Sequence, residues 1–158
     1  MNDLTVVGIA QLAVSRPPSR LACLGLGSCV AIILYDPVVK LGGIVHVLLP
    51  KAPNHYDQAE KYADTGTKKL VDEMIKEGAI KARIFARLVG GAEMFKAVNL
   101  AISNIGRDNI FEARKVLHQN SIRIMAEETA GKRGRSVYFD LDIGKVTVQT
   151  AFGGEKII

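Results

Sequence analysis

The sequence predicts a mixed α+β fold, two main helices packed on a largely antiparallel sheet or sheets, and three observations carry that expectation. Apolar residues recur at helical spacing in two stretches, around residues 62–75 and 108–120. Short β-branched or alternating runs lie on either side of those stretches. Several of these runs are joined by turns too short for a crossover helix, so their neighbours run antiparallel. A chain of 158 residues fits one domain, residues 1–158, because a chain of that size buries about 70% of its unfolded surface around one core.

Residues 4–14 mix β-branched and small side chains and read as one or two strands, ended by the loop 15–19 with Pro17 and Pro18. After Leu21-Ala22-Cys23-Leu24, the glycines of Gly25-Leu26-Gly27-Ser28-Cys29 bend the backbone, and the apolar run 30–35 follows as a buried strand. Asp36-Pro37 breaks that strand, because proline lacks a ladder donor, and Gly42-Gly43 is read as the far end of the connection. Residues 44–49 resume as its partner. A hairpin centred between Pro37 and Val38 places Cys29 opposite His46, with Cβ atoms about 5 Å apart.

The polar loop 50–57 leads to the clearest helix, with Tyr62, Ala63, Leu70, Val71, Met74 and Ile75 at helical spacing and Gly78 as its stop. Residues 81–89 alternate Ala82, Ile84, Ala86 and Leu88 with Arg83 and Arg87, the period of a strand with one wet face, and Gly90-Gly91 ends it. A second helix starts near Asp108 as N-cap, runs through Ile110, Ala113 and Leu117, and stops at Asn120. A strand over 122–126, the loop 131–135 and a closing hairpin, 136–141 with 146–152 around the turn 142–145, complete the order.

An apolar content of 48% with 23% charged residues excludes disorder. No apolar run reaches the roughly 18 residues of a membrane helix. The start, Met1-Asn2-Asp3-Leu4, lacks the basic end and apolar stretch of a signal peptide. The expectation is a cytoplasmic protein without direct membrane insertion, whose two cysteines stay reduced. Neither cysteine forms a CxxC pair, so no metal is expected. The net charge of +5 is spread among acidic residues; Lys132-Arg133-Gly134-Arg135 is the one dense basic cluster and has no interleaved aromatics, so no nucleic-acid partner is expected.

Cys29 and His46 are the candidates for chemistry. A thiol acts as a nucleophile once ionised, which a nearby imidazole or backbone amides promote. The Gly25-Leu26-Gly27-Ser28 approach lets the amides of Ser28 and Cys29 point at a developing oxyanion. The competing reading is that a cysteine among apolar residues and a histidine in a strand are ordinary core side chains, and spacing alone favours it. Cys23 reads as core packing, His55 and His118 as exposed, and the adjacent Glu127-Glu128 as solvated residues whose side chains diverge.

Several segments in order carry a resemblance: residues 24–30 (Leu-Gly-Leu-Gly-Ser-Cys-Val), Tyr35-Asp36-Pro37, Gly42-Gly43-Ile44-Val45-His46-Val47-Leu48-Leu49-Pro50, and Lys61-Tyr62-Ala63-Asp64. It continues through Gly90-Gly91-Ala92-Glu93-Met94-Phe95, Asn104-Ile105-Gly106, Asn109 and Gly134-Arg135-Ser136-Val137, and so spans nearly the whole chain. Together they resemble the chemoreceptor glutamine deamidase family, CheD.

The resemblance implies a fold like that of glutamine-deamidating bacterial toxins. It also implies a cofactor-free cysteine hydrolase of bacterial or archaeal chemotaxis that converts receptor glutamines to glutamate. It assigns Cys29 as nucleophile and His46 as general base and acid. The family's third active-site residue, a threonine six positions before the cysteine, falls on Cys23, where a backbone carbonyl nearby could orient the histidine instead. The implied partners are methyl-accepting chemotaxis receptors as substrate and a CheC-type phosphatase of the response regulator. The alternative reading is a weakly catalytic regulator of that phosphatase.

Overall fold

A computed structural model describes residues 3–93 and 104–158. Met94 and Phe95 of the resembling segments, and Met1 and Asn2 of the start, lie outside the described residues. Two five-stranded sheets stack face to face. The first has the order β1 (Leu4–Val6), β3 (Arg20–Leu26), β8 (Arg135–Asp140), β9 (Lys145–Thr150) and β10 (Glu155–Ile157). The second has the order β2 (Gln11–Ser15), β5 (Leu41–Val47), β4 (Val30–Asp36), β6 (Phe85–Gly90) and β7 (Arg123–Thr129). Among the strand pairs of the described residues, only β1–β3 and β6–β7 are parallel. The α+β class with largely antiparallel sheets stands.

Two helices, α1 (Ala63–Lys76) and α2 (Ile105–Gln119), cover the outer face of the second sheet. Alternation along β4 sorts its residues into two cores. Val30, Ile32 and Leu34 meet Leu70, Val71 and Met74 of α1 and Ile110, Ala113 and Leu117 of α2. Ala31, Ile33 and Tyr35 face Val137 and Phe139 of the first sheet and Leu141 just after β8. All seven residues of β4 are buried, which is why its sequence reads as one apolar run. No helix among the described residues is long and apolar enough to cross a membrane.

The second sheet layer accounts for several differences from the sequence expectation. Gly42 and Gly43 lie inside β5 rather than in the turn, which is residues 37–40 with Lys40 in the left-handed region at φ 54°. A Cβ on Gly42 would sit 2.6 Å from the Phe139 ring, and one on Gly43 2.8 Å from both Leu70 and the Ala13 carbonyl. The glycines therefore let the first sheet and α1 approach β5 from its two sides.

Arg87, expected on a wet face, is 8% exposed and points between the sheets, its guanidinium 5.2 Å from the Phe85 ring centre. Arg83 lies in a 3-10 turn before β6 and pairs with the fully buried Asp36 at 2.9 Å. Helix α2 begins at Ile105 with Asn104 as its cap, so Asp108 sits in the first turn, where a carboxylate complements the helix dipole. Glu127 and Glu128 are not merely solvated. They lie within β7 and pair with Arg114 at 2.8 Å and Lys156 at 3.0 Å, from α2 and β10. His55 and His118 are exposed.

Candidate active site

Cys29 stands immediately before β4, where the chain crosses from the first sheet to the second. The crossing begins at a bulge between Cys23 and Leu26, with Gly25 in the left-handed region at φ 64°. The hairpin register differs from the sequence expectation by two residues: Ala31, not Cys29, is opposite His46. The reason is the four-residue turn, which centres the hairpin between Val38 and Val39. A shift of two keeps a side chain on its original face, so Cys29 and His46 share the inter-sheet face as diagonal neighbours. A shift of one would have put them on opposite faces.

His46 is 4% exposed, and its Nδ1 lies 2.9 Å from the carbonyl oxygen of Val7. A carbonyl only accepts, so Nδ1 carries the hydrogen, and in the neutral ring Nε2 keeps its lone pair. Burial pushes the imidazole pKa below its ordinary 6.5, the Val7 bond opposing this in part. The ring is therefore neutral at pH 7, with the basic nitrogen left for a proton. Val7 is held in turn, because its amide donates to the Ala22 carbonyl on β3 at 2.7 Å. The acceptor thus lies beside Cys23, where the resemblance allowed for a backbone carbonyl, but nothing in the sequence names Val7 as its source, since any residue supplies a carbonyl.

Cys29 is 8% exposed and Cys23 fully buried. Burial raises the Cys29 thiol pKa above 9.0, while its own backbone amide, aimed at the sulfur, pulls it down. Burial, with the neighbouring Cys29 charge adding to it, pushes the Cys23 thiol up to about 12. Cys23 is therefore a poor nucleophile, and both active-site candidates rest as neutral groups rather than as a thiolate–imidazolium pair.

Three consecutive carbonyls approaching the sulfur are tied down. The Gly27 oxygen accepts from the Ala92 amide at 2.9 Å, the Ser28 oxygen from Asn109 Nδ2 at 3.0 Å, and the Cys29 oxygen from the Gly91 amide at 2.8 Å. Gly90, at φ 111°, has no room for a Cβ, which would collide with the Cys29 carbonyl. In a trans peptide C=O and N–H point in opposite directions. Fixing the Gly27 and Ser28 carbonyls toward α2 and the end of β6 therefore turns the amides of Ser28 and Cys29 the other way, as an anion-binding nest requires.

A cavity of about 430 Å³ beside this loop is lined by Gly25, Gly27, Arg135, Ser136 and Thr150. Neither Cys29 nor His46 is among its lining residues. Arg135 is 7% exposed and braces the junction through Gly90 and Thr129 carbonyls at 3.5 and 3.4 Å.

Residues 48–150 match the model of the family described as CheD chemotactic sensory transduction. The chemoreceptor glutamine deamidase CheD of Thermotoga maritima is 42% identical over 96% of this chain and 95% of its own length. A relative from Pyrococcus horikoshii, named a probable chemoreceptor glutamine deamidase CheD, is 44% identical over 96% of this chain and 94% of its own. Among solved structures, the Bacillus licheniformis hypothetical protein YfiH aligns with TM-score 0.49 and 19% identity, over 75% of this chain and 49% of that one. With similarity this high along almost the entire length of its relatives, the chain belongs to the CheD family.

Proposed function

We propose that this chain, acting in the cytoplasm as one domain, hydrolyses the side-chain amide of glutamines in chemotaxis receptors. The observation that carries the reading is the His46 Nδ1–Val7 bond, because it leaves Nε2 basic on the face that Cys29 shares. The names of the relatives supply the substrate class.

In this reading His46 Nε2 takes the Cys29 proton as the sulfur attacks the glutamine side-chain carbonyl. The amides of Ser28 and Cys29 face the oxyanion of the tetrahedral intermediate. Nε2–H then protonates the departing nitrogen, which leaves as ammonia and a thioester remains. Water, deprotonated by the same nitrogen, attacks the thioester; the thiol recovers its proton and the receptor keeps a glutamate. The CheC-type phosphatase is the second partner proposed for the chain.

The test is peptide mass analysis of a receptor cytoplasmic domain after incubation with the chain, looking for conversion of individual glutamines to glutamate. Receptors left unchanged while the phosphatase is bound would replace the enzyme reading with the regulatory one.

Two expected outcomes follow from the site. The acid limb of kcat/KM should fall below pH 6.5, because the base form of His46 persists below its ordinary pKa; a pH–rate profile with the limb above 6.5 would remove His46 as the titrating base. Cys23→Thr, which introduces the family's residue, should change kcat/KM by less than about tenfold, since the Val7 carbonyl already occupies Nδ1. Steady-state kinetics of that variant check it, and a larger gain would give the hydroxyl a role in orienting the ring.

A further inference from the structure

We propose that Asn109, one turn into α2, is the positioning residue that aims the Cys29 amide at the oxyanion; the inference rests on Cys29 being the nucleophile. Asn109 is fully buried and its Nδ2 donates twice, to the Ser28 carbonyl at 3.0 Å and to the Leu48 carbonyl at 3.1 Å. Ser28 directly precedes Cys29, and Leu48 follows His46 by two residues. One amide group therefore ties the segment bearing the thiol to the strand bearing the imidazole, across a sequence separation of 81 and 61 residues from itself.

The orientation of the Asn109 amide is fixed by its surroundings. Turned over, its Oδ1 would face two carbonyl oxygens, so only the observed orientation is bonded. The helix that carries it packs closely on this junction: a Cβ on Gly106 would lie 2.6 Å from the Gly91 carbonyl and 2.7 Å from that of Ala92. Backbone therefore packs on backbone, and the residue three positions on, on the same helix face, reaches the loop. Gly91 and Ala92 themselves donate to Cys29 and Gly27. These two bonds hold the outer carbonyls of the loop and Asn109 the middle one, whose peptide carries the Cys29 N–H. Without Asn109 that peptide is the one free to rotate, and its amide leaves the sulfur and the oxyanion position together.

The experiment uses the full chain with Asn109→Asp, which keeps the shape but removes the donor, Asn109→Ser, which keeps one short donor, and Leu117→Val as a core control on the same helix. The rate of Cys29 alkylation by iodoacetamide is followed against pH by peptide mass, alongside kcat and KM for a receptor domain and the thermal unfolding midpoint. In Asn109→Asp the alkylation profile should move to higher pH and kcat should fall by about 10²–10³-fold with KM little changed. Asn109→Ser should lie between it and the parent, and Leu117→Val should lose stability without moving the profile.

Alkylation profiles of the folded Asn109 variants that superimpose on the parent's would overturn the inference. So would the same displacement in Leu117→Val, or failure of both Asn109 variants to fold, which would leave the residue a structural role alone. A displaced profile in a chain that deamidates no receptor would uphold the positioning role and reject the substrate.

Discussion

Cys29→Ala is expected to lower kcat/KM for receptor deamidation by at least about 10³-fold, with the protein still folded. The size follows from the chemistry: without the sulfur no thioester forms, and the remaining amides and imidazole would have to activate water directly against an amide. His46→Ala should cost about 10²–10⁴-fold, the usual worth of a general base that also serves as acid. Its loss should be largest near neutral pH and shrink toward alkaline pH, because burial holds the Cys29 thiol above 9.0 and the thiolate forms unaided only there. The two losses should not add, since both residues act in one proton transfer. Peptide mass analysis of the receptor with each single variant and the double variant makes the comparison. A Cys29→Ala chain that still converts glutamines at the parental rate would remove the sulfur from the mechanism.

Asp36→Ala should destabilise the fold by about 3–5 kcal/mol, the range for removing one partner of a buried ion pair. Asp36 is fully buried at the end of β4 and accepts from the amides of Val38 at 3.1 Å and Ile80 at 2.9 Å, and from Arg83 Nε and Nη2 at 3.1 and 2.9 Å. One carboxylate thus joins the β4–β5 turn to the segment between α1 and β6. Because the Arg83 side chain is 30% exposed, water can recover part of its loss, which favours the lower end of the range.

The pH dependence of that contribution has a definite sign. Burial alone would raise the Asp36 pKa, but the Arg83 hydrogen bonds and the two amides outweigh it and hold the carboxyl below its ordinary 3.8. The stabilisation is therefore fully present above 3.8 and is lost as pH falls through the depressed folded value. Urea unfolding of the parent and Asp36→Ala at pH 7 and at about pH 3 should show the difference in midpoint narrowing on acidification. An equal difference at both values would mean that the carboxylate charge contributes nothing and that packing alone accounts for the loss.

The local sequence determined a good deal. The helical period and the Gly78 stop located α1, and the unbroken apolar run of residues 30–35 announced a strand covered on both faces. These features were legible because each depends on spacing within a few residues. The resemblance named Cys29 and His46 as candidates, and the chain's membership of the family rests on similarity along nearly its whole length.

What the tertiary structure decided is what depends on partners distant in sequence. Alternation in residues 81–89 reads as a strand with one wet face, but a second sheet packs there, and Arg87 is buried as a consequence. Gly42 and Gly43 looked like a turn because glycine permits both turns and close packing, and only Phe139, Leu70 and Ala13 distinguish the two. The two-residue difference in register leaves Cys29 and His46 on one face, since side chains repeat every two residues along a strand. The Val7 carbonyl that holds the imidazole and the Asn109 amide that holds the Ser28 carbonyl lie 39 and 81 residues from the groups they hold. A backbone carbonyl has no sequence signature, so Val7 could be found only once β1 and β3 were side by side.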